Sequence, residues 1–118
     1  MDPWETALAV YGTGVELDRD IERAAVKHTL ALLKERAPGR SVEVRIPPYA
    51  AVQVAEGTNH RRGTPSAVVE MDARTWLLLA AGEGDWDQLV ATGVIKASGE
   101  RSDLREWLPL LSDDSRRL

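Results

Sequence analysis

The chain has 118 residues, of which 43% are hydrophobic and 29% are charged, as is typical of a single ordered globular domain. Its 15 basic and 19 acidic residues give a formal net charge of −4, which argues against a general nucleic-acid-binding protein because such proteins need surplus basic charge to displace counterions from phosphate. Cysteine is absent, which excludes disulfides, thiolate catalysis and zinc–thiolate sites.

The first long periodic segment predicts an α-helix from Asp18 to about Ala37. Asp18 fits the N-cap position, and Pro38-Gly39 ends the helix. Residues 1–17 before it are expected to form an N-terminal extension with a short helical turn. The apolar arc is wide and therefore predicts packing against a broad surface such as a sheet. The first face of this arc holds Ile21, Ala24, Ala25, His28, Ala31 and Leu32, and Val26, Leu30 and Leu33 widen it. On this face His28 is expected to be a satisfied core or boundary histidine.

Three segments with strand character follow the helix. Residues 41–46 alternate strictly between apolar and polar side chains, which predicts a strand with one buried face. Residues 49–56 are apolar on both faces, which is typical of a central strand. A third strand is expected over residues 67–71. A polar, turn-rich loop, residues 57–66, separates the second strand from the third.

The second half of the chain is mainly helical. Asp72 is expected to cap an almost wholly apolar helix, and Asp85 opens the pattern of a capping box at the start of a short helix. Residues 94–98 are expected to form a fourth strand. Ser102 is predicted to cap a last helix, which Pro109 kinks or shortens.

This element order predicts an α+β sandwich, α-βββ-αα-β-α, in which helices pack on one small, mostly antiparallel sheet. Residues 18–111 form the expected domain, and residues 112–118 are expected to be a flexible tail. The first residues are acidic with no apolar stretch behind them, and the longest apolar run, residues 76–81, is far shorter than the ~20 residues of a membrane span. We therefore expect a cytoplasmic protein without stable membrane insertion.

Two groups of motifs carry a family resemblance. In the second half, a helix that ends in glycine precedes a short helix, a strand with lysine after two apolar residues, and a Leu-rich segment. In the first half, a Pro-Gly motif, a Pro-Pro-Tyr motif and the loop are the matching segments. The second-half motifs are residues 75–82, 86–93, 94–99 and 104–111, and the first-half motifs are residues 37–45, 47–53 and 60–70. Together they resemble the sterol-carrier-protein family over roughly residues 18–111, and the first-half motifs resemble its small stand-alone bacterial subgroup of actinobacterial type.

The resemblance implies a hydrophobic tunnel between the sheet and the helices that holds a fatty acyl chain, a sterol or another lipid. Such a pocket needs apolar side chains beyond those that close packing consumes. Each candidate can equally be plain core, since protein interiors are close-packed. The candidates for the apolar wall are Val52, Val54, Val69, Met71, Trp76, Leu79, Trp107 and Leu111.

The polar loop supplies candidates for the polar end of a ligand. Loops of this length in compact domains are usually functional or disordered. Arg62 with His60 is suited to an anionic group such as a carboxylate or a phosphate, and Glu70 is placed to orient them. In the alternative interpretation, Arg62 and His60 belong to an ordinary surface turn, and Glu70 faces water on the outer side of the sheet.

These expectations favour a non-enzymatic carrier of a small hydrophobic or amphipathic ligand, without cofactor. The sequence lacks the Gly-x-Ser-x-Gly motif of hydrolases, and two histidines without cysteine argue against a metal site. Because sterol-carrier-like domains also occur in mycothiol-dependent isomerases and related transferases, one alternative is an accessory domain that completes a partner's site in trans. Another is a closed-pocket protein-interaction module. A protein partner or a homodimer stays open, whereas nucleic acid is not expected.

Overall fold

The structure is a computed structural model, and it describes residues 3–11, 13, 17–56, 67–99 and 102–111. The elements are α1 (Pro3–Tyr11), α2 (Arg19–Arg36), β1 (Val42–Ile46), β2 (Ala50–Val54), β3 (Ala67–Glu70), α3 (Ala73–Ala80), α4 (Trp86–Ala91), β4 (Lys96–Gly99) and a one-turn 3-10 helix (Arg105–Trp107). Helices and strands thus follow one another as predicted from α2 to β4, and the α+β class is confirmed.

The four strands form one mixed sheet in the order β2-β1-β3-β4. β1 pairs antiparallel with β2 and parallel with β3, and β3 pairs antiparallel with β4, so two of the three pairings are antiparallel as expected. The prediction of a central position for β2 is wrong, because β2 lies at an edge. Its outward residues Ala51 and Gln53 are exposed, so the apolar character of Ala51 does not signal burial.

Aspartate side chains begin three of the helices. Asp18 Oδ1 accepts the N–H of Asp20 at 2.8 Å, and Asp72 Oδ1 accepts the N–H of Thr75 at 2.7 Å. Asp85 occupies the same position in α4. These carboxylates satisfy N–H groups that the first turn of a helix leaves without an intrahelical partner. The predicted starts of α2, α3 and α4 are therefore confirmed.

The buried face of α2 is only one side of the predicted apolar arc, the side of Val26, Leu30 and Leu33. His28 and Ala24 are exposed, so the prediction of His28 as a core or boundary histidine is wrong. The helix is apolar on several sides, and the sequence alone did not determine which side meets the sheet. Its buried residues are Ala25, Val26, Thr29, Leu30 and Leu33. Thr29 can lie in this core because its hydroxyl donates to the Ala25 carbonyl at 2.8 Å.

The core lies between the helices and one face of the sheet. α1, α2 and α3 contact one another, and their apolar side chains form one cluster with the buried side of β1 and β3. α1, in the predicted N-terminal extension, contributes Trp4 and Ala7 to this cluster. We call the opposite side of the sheet, with Glu43 and Arg45, the outer face.

The predicted last helix is instead the single 3-10 turn Arg105–Trp107. Pro109 has no N–H to continue a helix. The carbonyl oxygens of Trp107 and Pro109 accept bonds from Nη1 of Arg36 at 2.9 and 2.8 Å. A side chain of α2 therefore fixes this part of the chain as an extended segment.

The fourth strand begins two residues later than predicted, at Lys96. The N–H of Ile95 donates to the Leu89 carbonyl at 3.0 Å, so Ile95 belongs to the turn after α4. Its side chain is buried, whereas that of Val94 is 41% exposed. Of this apolar pair only Ile95 packs in the core, and neither residue belongs to the strand.

Candidate functional site

The predicted polar-end residues lie only partly within the described chain. His60 and Arg62 belong to residues 57–66, which lie outside the described residues. The two ends of this segment meet at Ser41: its N–H donates to the Ala55 carbonyl at 2.9 Å, and its carbonyl accepts the N–H of Ala67 at 3.0 Å. The loop therefore leaves and re-enters the sheet at the start of β1.

A close backbone contact fixes the place where this loop begins. Gly39 has φ +146°, and a Cβ there would lie 2.0 Å from the carbonyl oxygen of Ala55. Ala55 itself has φ 65°, in the left-handed region that non-glycine residues rarely adopt. Ala55 also donates its N–H to the Ala37 carbonyl at 2.7 Å. The contact requires glycine at position 39, and it ties the end of β2 to the end of α2.

Glu70 lies on the outer face of the sheet. The register places it beside Arg45 of β1 and Lys96 of β4. The preceding residue, Val69, points to the helices and is fully buried. The hydrogen bond to Glu43 is the main cause that raises the pKa of Arg45, and the charge of the half-buried Glu70 adds to it. Its proposed contact with Arg62 or His60 stays a prediction.

Most of the predicted apolar wall is closely packed. Val54, Val69 and Trp76 are fully buried. Nε1 of Trp76 donates to Oγ1 of Thr29 at 2.7 Å, which fixes the indole ring inside the core. Met71, Leu79 and Leu111 are also buried, and Val52 and Trp107 are half-buried.

One cavity, which we call the larger cavity, lies where the loop leaves the sheet. Its volume is about 500 Å³. One side is formed by the start of β1 and the end of β2, and the other by the segment around the 3-10 turn. The lining residues are Ser41, Val42, Ala55, Glu56, Asp103, Arg105, Glu106 and Trp107. Trp107 is the member of the predicted wall that borders this cavity.

A smaller cavity of about 220 Å³ also borders the 3-10 segment. Leu79 of the predicted wall lines it, and Arg105 borders both cavities. Its lining residues are Leu79, Gly82, Glu83, Gly84, Trp86, Arg105, Leu108 and Pro109. The segment around the 3-10 turn therefore contributes side chains to the linings of both cavities.

Arg105 is held by two carboxylates. Its Nη2 lies 2.6 Å from Oδ2 of Asp103, and its Nη1 lies 3.1 Å from Oδ2 of Asp87 in α4. The hydrogen bond with Arg105 lowers the pKa of the Asp103 carboxyl, and the same bond raises the pKa of Arg105. The guanidinium is thus already compensated by the protein's own acids.

A cluster of two tyrosines and one glutamate was not predicted from the sequence. The hydroxyl groups of Tyr11 and Tyr49 donate to the two carboxylate oxygens of Glu22, each at 2.6 Å. Burial, followed by the hydrogen bond to Glu22, raises the pKa of both phenols. Arg74 lies 5.7 Å above the Tyr11 ring. The cluster joins α1 and the β1–β2 turn to α2 through residues far apart in sequence, which no local pattern reveals.

Within the described ranges, no helix has both the length and the apolar content needed to cross a membrane. The same residues contain no group of three or more His, Asp or Glu arranged to hold a metal ion.

Comparison with known proteins identifies the family. The model of a family described as "Bacterial SCP ortholog" matches residues 18–110, which is most of the chain. No curated protein matches the chain significantly. The match covers α2, the whole sheet, both short helices and the lining of both cavities. The chain therefore belongs to this sterol-carrier-protein-like bacterial family.

Proposed function

We propose that the chain is a non-enzymatic carrier of a small hydrophobic or amphipathic ligand, such as a lipid, an acyl chain or a sterol-like molecule, and that it acts in the cytoplasm. Membership of the sterol-carrier-protein-like family supports a carrier role. The observation that carries the proposal is the cavity of about 500 Å³ beside Trp107. Its volume falls within the roughly 300–1,000 Å³ of small-ligand pockets.

In this proposal the ligand lies against the Trp107 ring and the start of β1. Val42 and Ala55 border the cavity but are almost completely buried, so the half-buried Trp107 offers most of the apolar surface of the lining. The polar end of the ligand then points toward the loop, with His60 and Arg62 as the expected contacts. Deeper insertion, toward the other predicted wall residues, requires their packed side chains to move apart.

A second candidate is a closed-pocket protein-interaction module. It is favoured by the burial of Val54, Val69 and Trp76, which leaves little exposed surface on these three members of the predicted wall. The two candidates differ in one respect, since only the carrier binds a small ligand with useful affinity.

Thermal unfolding of delipidated protein with a panel of fatty acids, acyl amides and sterols tests the proposal. A ligand that binds only the folded state at 100 times its Kd adds about 2.7 kcal/mol to the free energy of unfolding, which is several degrees in a domain of this size. Trp107→Ala is expected to reduce the shift, because it removes a wall of the cavity. Val94→Ala removes an exposed apolar side chain outside the lining and is the matched control. No shift with any ligand would favour the closed-pocket module.

A further inference from the structure

We propose that the β2 edge, the side of β2 that faces away from β1, docks a partner protein by adding an extended acidic segment of that partner to the sheet. The inference goes beyond the carrier function and does not depend on it. Three features carry it: the unpaired edge, the uncharged strand that forms it, and the basic side chains of α2 that lie beside it.

The β2 edge is available for pairing. β2 (Ala50–Val54) pairs with β1 on one side, and among the described residues no strand pairs with it on the other. In an antiparallel pair the backbone groups of successive residues point alternately toward the partner strand and away from it, so about half of those of β2 point away from the sheet. Ala51 and Gln53 are exposed, and Ala50 and Val52 are only half-buried. An extended segment can therefore reach this backbone and bond to it.

The two edges of the sheet differ in the features that oppose strand addition. Exposed edges are usually protected by charged side chains, by proline or by very short strands. The β4 edge carries the exposed Lys96, and β4 is only four residues long. β2 has five residues without a charged side chain, and Pro47 and Pro48 lie in the turn before it. Of these two edges, the β2 edge is therefore the one that accepts a further strand.

α2 runs beside β2 over the whole length of the strand. At the start of β2, the hydroxyl of Tyr49 donates to Glu22 of α2 at 2.6 Å. Just past the end of β2, the N–H of Ala55 donates to the carbonyl of Ala37, the C-cap of α2, at 2.7 Å. Side chains that follow one flank of α2 therefore follow the strand as well.

The flank of α2 beside the β2 edge is basic. Burial, followed by the hydrogen bond to Glu22, raises the pKa of the Tyr49 phenol, and the charges of Arg19 and Arg23 oppose this rise. Both guanidinium groups thus lie near the start of β2. From Arg23, Lys27 and Lys34 follow on the same flank after about one and about three helical turns.

Most of this positive charge is not neutralised by the protein itself. Arg23 lies 3.6 Å from Asp20 in an exposed ion pair, whereas in the described part of the chain neither Lys27 nor Lys34 has an ion-pair partner. Both lysines are exposed. In a chain with a formal net charge of −4, such a row of basic side chains is a local exception. It favours an acidic partner, because complementary charges steer association and select among partners.

A strand added at the β2 edge brings its side chains to this row. Alternate side chains of an added strand lie on the face of the sheet that the helices cover, beside α2, and the others lie on the outer face. Acidic residues at every second position therefore meet Arg23, Lys27 and Lys34. The remaining side chains lie next to Ala51 and Gln53, which carry no charge.

NMR titration of the isotope-labelled full chain with a nine-residue peptide, in which glutamate alternates with threonine, tests the inference. We expect a Kd below about 1 mM, with amide shifts concentrated in β2 and in the basic flank of α2. A peptide with lysine in place of glutamate should bind at least about tenfold more weakly. No binding of the acidic peptide, equal binding of the lysine peptide, or shifts at β4 in place of β2 would overturn the inference.

Two N-methylated versions of the acidic peptide separate strand addition from simple charge attraction. One is methylated at every glutamate and the other at every threonine. An added strand uses the N–H groups of only one of these sets to pair with β2, so one version should bind at least about tenfold more weakly than the other. Equal affinities would overturn the inference. Binding to phosphatidylglycerol vesicles without binding to any acidic peptide would assign the basic flank to a membrane surface and overturn it too.

A pair of matched variants locates the binding surface. Lys27→Gln is expected to weaken binding of the acidic peptide about two- to fivefold. Lys96→Gln removes the same charge from an exposed position at the β4 edge and is the control, for which we expect a smaller change. Equal effects of the two substitutions would show that the peptide responds to net charge and not to the β2 edge. Circular dichroism checks that both variants are folded.

Discussion

The hydrogen bond between Trp76 and Thr29 gives the sharpest test of how the core is held. Both side chains are fully buried, and Nε1 of Trp76 lies 2.7 Å from Oγ1 of Thr29. The hydroxyl in turn donates to the Ala25 carbonyl of α2 at 2.8 Å. A single oxygen therefore connects α3 to the backbone of α2 through the predicted wall of the ligand site.

The substitution Thr29→Val keeps the shape of the side chain and removes this oxygen. The indole N–H then remains buried without an acceptor, which costs about 1–3 kcal/mol of the free energy of unfolding. The Ala25 carbonyl remains within the helical backbone of α2, so the lost free energy of unfolding comes mainly from the indole N–H of Trp76. Thr29→Ser keeps the oxygen and removes one methyl group, with an expected cost of about 1 kcal/mol.

Urea unfolding monitored by circular dichroism measures these differences. In a Trp76→Phe background the indole N–H is absent, so the cost of Thr29→Val should fall to within about 0.5 kcal/mol of zero. A coupling energy of about 1–3 kcal/mol between the two positions is the expected result. Additive costs, or a Thr29→Val protein as stable as the parent, would refute the assignment of this bond as the connection between α2 and α3.

Three further perturbations have expected outcomes. Gly39→Ala should lower the free energy of unfolding by about 2–5 kcal/mol, because the added Cβ meets the Ala55 carbonyl and φ at this position is +146°. Gly93→Ala is the control, since a Cβ there has no atom within 4 Å, and it should cost only about 1–2 kcal/mol in the same urea assay. The pKa of the Tyr11 phenol is raised in the folded state, so its contribution to stability is complete below about pH 10, the ordinary pKa of tyrosine. Above that pH the phenol ionises first in the unfolded chain, so the free energy of unfolding should fall with rising pH. The fall should be less steep in Tyr11→Phe. Arg36→Gln should lower stability by about 1 kcal/mol and speed amide exchange around the 3-10 turn, and unchanged exchange would count against its role there.

The features that sequence predicted correctly are local ones. Asp18, Asp72 and Asp85 cap helices through N–H groups two or three residues away, so a short window of sequence contains both partners. The alternation of apolar and polar residues in β1 likewise indicates which face of the strand is buried. The family resemblance came from such short segments, and the family match bears it out.

The features that sequence missed depend on distant partners. The buried side of α2 was decided by Trp76, 47 residues further on, which gives Thr29 a place in the core. β2 lies at an edge because β3 pairs with the other side of β1. Its small alanine residues suit an edge strand as well as a central one, so they do not indicate which position β2 takes. Of the two carboxylates that hold Arg105, that of Asp87 comes from α4, 18 residues away, so no short window of sequence contains both partners.

Native mass spectrometry of the freshly purified chain, followed by organic extraction, tests the carrier function most directly. The account predicts a near-stoichiometric adduct of a small hydrophobic or amphipathic molecule, with reduced occupancy in Trp107→Ala and unchanged occupancy in Val94→Ala. A chain that is bare as purified, and stays bare after incubation with the panel of fatty acids, acyl amides and sterols, would contradict it.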